Sequence, residues 1–456
     1  MAPPALQMTQ PAADAPKERR KSSFRRPSIA AEKLGPMTLS KPHAPGAQFN
    51  LVFVGAGNIN FGSDEAGPWN HSFRLENRLG PRLKVVAIID PNAAAAKERL
   101  DVKRNSFVES AYRDTRVCSS LDDFVSTMKD HERPHAFIVG SPAAFRGSTK
   151  QGRDFELQVL RHFPEHTPAM FIEKPLSADT VDSALEVSRQ LVDSKTVVSV
   201  GYFLRYLRVV QKMRSIIEDN DLEVMATVAR YVCSYKNINK PAWWMKSKDC
   251  GPSAADFLSS PWQLLSKERI WLTFTSRYFG GDVDMDSVQA QALEHDEPAG
   301  ELSVVPVDEG KIEPDDRIPR VTSATWKYET GAVGSLTHAL VLQGYKYSVE
   351  LEIYADGYQL RLIDPYNAPE LRVRTPDGDD EQVYTFERDD PYAGELNAFI
   401  DETETAAGLS GGSAVADDDS YDILSSYEDA SKTYALSWAI RVASEQNTRK
   451  FRKSKK

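Results

Sequence analysis

Through the first half of the chain the apolar residues fall in short unbroken runs that stop at turn-forming residues. Leu51-Val52-Phe53-Val54 ends in Gly55-Ala56-Gly57, and Leu83-Lys84-Val85-Val86-Ala87-Ile88-Ile89 ends in Asp90-Pro91, so each reads as a buried strand feeding a turn. Similar runs at Ala136 to Val139, Ala169 to Ile172 and Val197 to Val200 alternate with helix-like stretches. These include an alanine-rich one containing Lys97 to Leu100, Asp154 to Phe163, and Thr180 to Val192. Strands alternating with helices predict an α/β unit built on a mostly parallel, doubly wound sheet.

After about residue 222 the texture changes. Glu223 to Tyr231 alternates and is β-branched, and Thr325 to Tyr328, Ala332 to Leu340, Tyr347 to Tyr354 and Tyr358 to Ile363 are joined by Thr330-Gly331 and Asp356-Gly357. That pattern predicts hairpins, hence a C-terminal α+β domain built on an open, mostly antiparallel sheet. Helices are expected at Gly394 to Asp401 and Tyr427 to Glu445, around a Gly/Ser/Asp-rich loop at about 404–420 that should be mobile. The resulting division is a basic tail at 1–48, a first domain at 49–205, a second at 206–446, and a frayed basic tail at 447–456.

Composition narrows the function. Residues 1–48 combine Pro, Ala and Ser with Lys17, Arg19, Arg20, Lys21, Arg25 and Arg26, too little apolar surface to offset the entropy of ordering. A solvated tail is the simplest reading; its Arg-Ser character also resembles a transit peptide, and Arg25-Arg26-Pro27-Ser28 a basophilic kinase site. The net charge of −10 lacks the cationic field that a nucleic-acid binder needs. Cys118, Cys233 and Cys250 have no metal-ligand spacing, and His71 and His338 read as structural or surface residues, so no metal site and a reducing compartment are expected. With no apolar run of about 18 residues and no signal-peptide core, no membrane association and a cytoplasmic location are expected.

Three clusters carry chemistry. Gly55-Ala56-Gly57-Asn58-Ile59-Asn60 sits between a strand and a helix, where glycines let backbone N–H groups approach a pyrophosphate; Asn60 stands where the third glycine of such a turn is usual. The arrangement predicts a Rossmann-type dinucleotide site. Asp90, ending the second strand, could accept the ribose hydroxyls of NAD and repel the extra phosphate of NADP, although Asp-Pro is also ordinary turn chemistry. Its distance from Gly57 exceeds the usual ~20 residues because Ser63 to Pro81 reads as an inserted loop. Phe171-Ile172-Glu173-Lys174-Pro175 places two charges at a strand end. Lys174 could bind a substrate hydroxyl and shuttle its proton, or Glu173 and Lys174 could form a surface ion pair.

Taken in order, Val54-Gly-Ala-Gly-Asn-Ile-Asn, Glu173-Lys-Pro and Gly201-Tyr-Phe-Leu-Arg205-Tyr206 resemble the Gfo/Idh/MocA oxidoreductases, over about Leu51 to Glu445. The resemblance implies that Gly55, Gly57, Asn58 and Ile59 contact the dinucleotide, that Ser141 and Pro142 line it, and that Lys174 stands at the reaction centre with Glu173 beside it. Arg205 would border the same cleft, and the open sheet would make a homo-oligomer. Trp243 and Trp244 could wall a sugar pocket or be core.

One departure stands out. Family members follow a Gly-Gly or Gly-Pro, here Gly251-Pro252, with a Thr-His-x-x-Asp helix whose histidine is the acid/base. This chain has no histidine between His166 and His295. Either the proton-transfer group is lost, or Ser253 to Thr275 is foreign sequence from a mispredicted exon boundary or a shifted frame. The expected function is hydride transfer between NAD, with NADP as the second choice, and a small-molecule substrate of the sugar or polyol class. A non-catalytic dinucleotide-binding regulator and a NAD-assisted glycosidase are the alternatives.

Overall fold

The first strand, β1 (Phe49–Val54), is buried at all six residues, and β4 (Ala136–Val139) and β5 (Ala169–Ile172) are buried throughout as well. Unbroken apolar runs are what a sheet covered on both faces requires. With β2 (Leu83–Ile89), β3 (Arg116–Cys118) and β6 (Val198–Val200) they form a parallel six-stranded sheet in the order β3-β2-β1-β4-β5-β6. The order reverses between β1 and β4, which opens the ligand crevice of a Rossmann fold at their carboxyl ends. The structure is a computed structural model and describes residues 47–62, 69–237, 244, 276–409 and 422–454. The basic tail to residue 46, Trp243, Cys250, the Ser253 to Thr275 block, and residues 410–420 of the expected mobile loop lie outside the described residues, whereas residues 404–406 of that loop instead end the helix Pro391–Ala406.

The inserted loop expected at 63–81 is, from residue 71 onward, mainly a helix, His71–Leu79. The Asn70 side chain accepts the Phe73 N–H at its start, and Leu75 and Leu79, four apart, are buried against the sheet. A short polar-looking sequence hides this, since only two large aliphatic side chains mark the buried face.

The second sheet has eight strands: β7 (Val224–Ser234), β8 (Val283–Leu293), β9 (Val321–Tyr328), β10 (Val333–Leu342), β11 (Ser348–Ala355), β12 (Tyr358–Ile363), β13 (Glu370–Arg374) and β14 (Glu381–Thr385). Their order is β14-β13-β12-β11-β7-β10-β9-β8, antiparallel except for the parallel pair β7 and β10. The turns at Gly331 and Gly357 both use positive φ, which glycine adopts without strain, to join β9 to β10 and β11 to β12. One face, with Tyr231, Trp326, Leu336 and Leu351, is buried; the other carries Val228, Lys327, Val333 and Tyr354 in solvent.

Two late helices tie the halves together. Leu396, Phe399 and Ile400 of the helix Pro391–Ala406 join a core with Phe49, Leu51, Phe53 and Phe171 of the first sheet. The last helix runs from Tyr427 to Ser454, nine residues beyond the Glu445 expected from apolar periodicity. Polar contacts hold the extension: Asn447 Nδ2 donates to the Ala290 carbonyl, and Arg452 pairs with Asp296. Among the described residues no helix is long and apolar enough to cross a membrane, and no three His, Cys, Asp or Glu side chains converge as metal ligands.

Candidate functional site

Gly55 takes φ +93°, and a Cβ there would lie 3.0 Å from the Ser141 nitrogen, so the turn after β1 and the loop after β4 touch backbone to backbone. Gly57 is the opposite case: a Cβ would meet nothing within 4 Å. The N–H groups of Gly57, Asn58 and Ile59 have no acceptor among the described residues, because they open the helix Asn58–Phe61 and no preceding turn supplies carbonyls to them. Three open donors beside an empty approach match what a pyrophosphate requires. Arg99, which sequence reasoning did not single out, donates to Asn58 Oδ1 at 2.9 Å and brings a cation to the same edge.

Asp90 braces this turn. One carboxylate oxygen accepts the Ala56 N–H at 2.7 Å and the other accepts the Asn92 N–H at 2.8 Å, so both the ordinary Asp-Pro turn role and the position at the end of β2 are realised. Each oxygen retains a lone pair for a further donor.

Asn60 replaces the third glycine without closing the crevice. Its Nδ2 donates to the Val54 and Gly55 carbonyls at 3.1 and 2.8 Å. The room comes from Gly140 at the end of β4, where a Cβ would sit 2.7 Å from the Asn60 amide and 2.7 Å from Ile59 Cγ2. The close approach is thus allowed by the glycine that follows β4.

Glu173, Lys174 and Pro175 follow β5, and the Lys174–Pro175 peptide is cis. The expected alternative of a surface ion pair fails at Glu173, which is 8% exposed and bonded to His71, with Nε2 2.8 Å from Oε1. His71 itself is fully buried, its ring edge against Phe171 and its Nδ1 without a hydrogen-bond partner among the described residues. Burial opposes ionisation of Glu173, but the hydrogen bond and charge of His71, with Lys174 and Arg146 nearby, outweigh it and hold the carboxyl below its ordinary value. Glu395, also buried, feels the Glu173 charge, and its Oε2 has no hydrogen-bond partner among the described residues. Burial and the Glu173 charge push Glu395 well above the usual carboxylate range. Neither His71 nor Glu395 stood out in the sequence; an isolated histidine and one glutamate among many carry no spacing signal.

Arg205 is buried, paired with Asp429 at 2.8 Å and stacked over Tyr278, and burial lowers it to about 10. Its guanidinium therefore anchors the first turn of the last helix. Trp244 is fully buried between Tyr235 and the Arg320 guanidinium.

Residues 49–202 match the oxidoreductase family with an NAD-binding Rossmann fold, GFO_IDH_MocA, and residues 205–358 match an oxidoreductase C-terminal domain. The chain belongs to the Gfo/Idh/MocA family. Two uncharacterized Schizosaccharomyces pombe proteins are 42% and 37% identical over 406 and 404 residues, covering 89% and 88% of this chain and 93% and 98% of theirs. Solved structures of similar fold include an NAD-binding oxidoreductase from Klebsiella pneumoniae, at 13% identity and TM-score 0.60, covering 87% of this chain and 96% of that one. The WlbA dehydrogenase of Chromobacterium violaceum, in complex with NADH and UDP-GlcNAcA, aligns at 13% identity and TM-score 0.57, over 90% of this chain and 97% of its own. UDP-N-acetylglucosamine 3-dehydrogenase from Acidithiobacillus ferrooxidans aligns at 14% identity and TM-score 0.56, over 88% and 98%. This Gfo/Idh/MocA member thus carries a nicotinamide-binding oxidoreductase fold along nearly its whole described length.

Proposed function

We propose that the protein oxidises or reduces a hydroxyl- or carbonyl-bearing carbon of a sugar, polyol or sugar derivative, with NAD as the preferred cofactor. The observation that carries the reading is the turn Gly57–Ile59, with three open N–H donors at the strand-order reversal and Lys174 at the end of the neighbouring β5. Gly55, Gly57, Asn58 and Ile59 would hold the pyrophosphate, Asp90 a ribose, and Ser141, Pro142 and Glu173 the wall toward the reacting end. A bound nicotinamide supplies the hydride donor or acceptor.

Lys174 binds the substrate oxygen and moves its proton, while the buried Glu173 carboxylate accepts the Lys174 N–H and holds the turn that carries it. Arg205 secures the last helix through Asp429 behind the cleft, and the fully buried Trp244 serves as core, not as a pocket wall. The sugar class is suggested by the sugar-nucleotide named with WlbA and by the substrate in the name of the Acidithiobacillus enzyme. A second copy would pack on the open sheet face that presents Val228, Val333 and Tyr354.

The test is titration of the purified protein with NADH and with NADPH, followed by nicotinamide fluorescence. Saturable NADH binding, tighter than NADPH, supports the reading and opens a sugar and polyol screen. A folded protein that binds neither overturns it.

A further inference from the structure

Arg146 is 1% exposed and has no ion-pair partner among the described residues, yet its guanidinium gathers four carbonyls from two loops. Nε donates to Ser141 O at 3.0 Å, Nη1 to Pro175 O at 2.8 Å and to Leu176 O at 3.0 Å, and Nη2 to Glu173 O. Ser141 begins the loop after β4, and the other three belong to the turn after β5. The carbonyls on either side of Lys174, those of Glu173 and Pro175, are both in its grip.

We propose that Arg146 is a positioning residue that fixes Lys174 and the Ser141-Pro142 loop relative to each other, and so shapes the nicotinamide end of the cofactor site but not the adenosine end. The inference rests on the cofactor reading above. A buried cation is costly unless its donors are satisfied, and apolar packing would stabilise two loops more cheaply. What a planar guanidinium adds is geometry, since its fork sets several acceptors in one plane at fixed angles. Of the charges that act on it the foremost is Glu156, itself buried, whose Oε2 accepts the N–H of Gly147, the residue after Arg146. The adenosine side of a doubly wound site lies across the switch point, at the end of β2 with Asp90, out of reach of these four bonds.

The full-length protein and its Arg146→Met and Arg146→Lys variants would be titrated with NADH by fluorescence and with ADP-ribose by calorimetry, after circular dichroism confirms folding. ADP-ribose keeps the adenosine and pyrophosphate but lacks nicotinamide. In Arg146→Met the NADH Kd should rise about tenfold while that of ADP-ribose stays within about twofold. Arg146→Lys, a point charge that cannot span four carbonyls, should weaken NADH in the same selective way by about threefold, and decides the matter if the methionine variant does not fold. Equal losses for the two ligands, or none for either, would overturn the positioning role while leaving the cofactor reading intact. A wild-type protein that binds neither ligand would overturn both.

Discussion

His71 Nε2 meets Glu173 Oε1 at 2.8 Å across 102 residues of chain, joining the start of the inserted helix to the residue before Lys174. Both side chains are buried, so the bond fixes the orientation of the Glu173 carboxylate as firmly as it fixes the helix. The second carboxylate oxygen accepts the Lys174 N–H at 3.2 Å, which makes Glu173 a brace between the insertion and the lysine turn.

Removing His71 should therefore be costly. His71→Ala leaves a buried carboxylate without its main partner, and we expect a loss of about 3 kcal/mol in urea denaturation at pH 7. His71→Gln, which restores an N–H donor, should recover more than half. Equal losses in the two variants would assign the effect to packing against Phe171 and not to the carboxylate.

Glu395 should impose a pH dependence on stability. Its folded value is raised well above the ordinary 4.5 by burial and by Glu173, so above pH 4.5 the folded state keeps a proton that the unfolded state releases. Stability then falls as pH rises from 4.5 toward the folded value. Glu395→Gln removes this component, and equilibrium unfolding at pH 5 and pH 8 should show a gain that is larger at the higher pH.

Asp389 adds a second step within a bounded window. Burial raises it from 3.8 to about 6, although its Oδ2 accepts the Arg208 N–H at 2.8 Å. A raised carboxyl contributes stability that is lost between those two values as pH rises. Asp389→Asn can still accept that N–H, so its stability profile should be flatter over that interval than the wild-type profile.

Gly57 and Gly140 should respond in opposite ways to added bulk. At Gly57 a side chain enters open space, so Gly57→Val should fold with an unchanged melting temperature and lose NADH binding. At Gly140 a Cβ would collide with Asn60 and Ile59 at 2.7 Å, so Gly140→Ala should lose about 1–3 kcal/mol of stability, measured by thermal unfolding. A destabilised Gly57→Val would mean that the turn is packed from its open side.

The parallel sheet and the glycine turn were legible because they are local. A strand buried on both faces must be an apolar run, as in β1, β4 and β5, and a tight strand-to-helix turn must use glycine where φ is positive, as at Gly55. The hairpins at Gly331 and Gly357 announce themselves for the same reason. The edge strand β3 did not, since three residues, one of them an arginine, make no pattern.

What surrounds Lys174 was decided by tertiary structure alone. His71, Arg146, Glu173 and Glu395 come from four separate stretches of chain, and their pairing depends on how the inserted helix and the helix Pro391–Ala406 dock on the first sheet. Sequence reading assigned His71 to structure or surface because a single histidine shows a partner only when the fold supplies one. Apolar periodicity constrains which face of an element is buried; it places no constraint on which charged side chains then share that burial, because their mutual energies arise only after water is excluded.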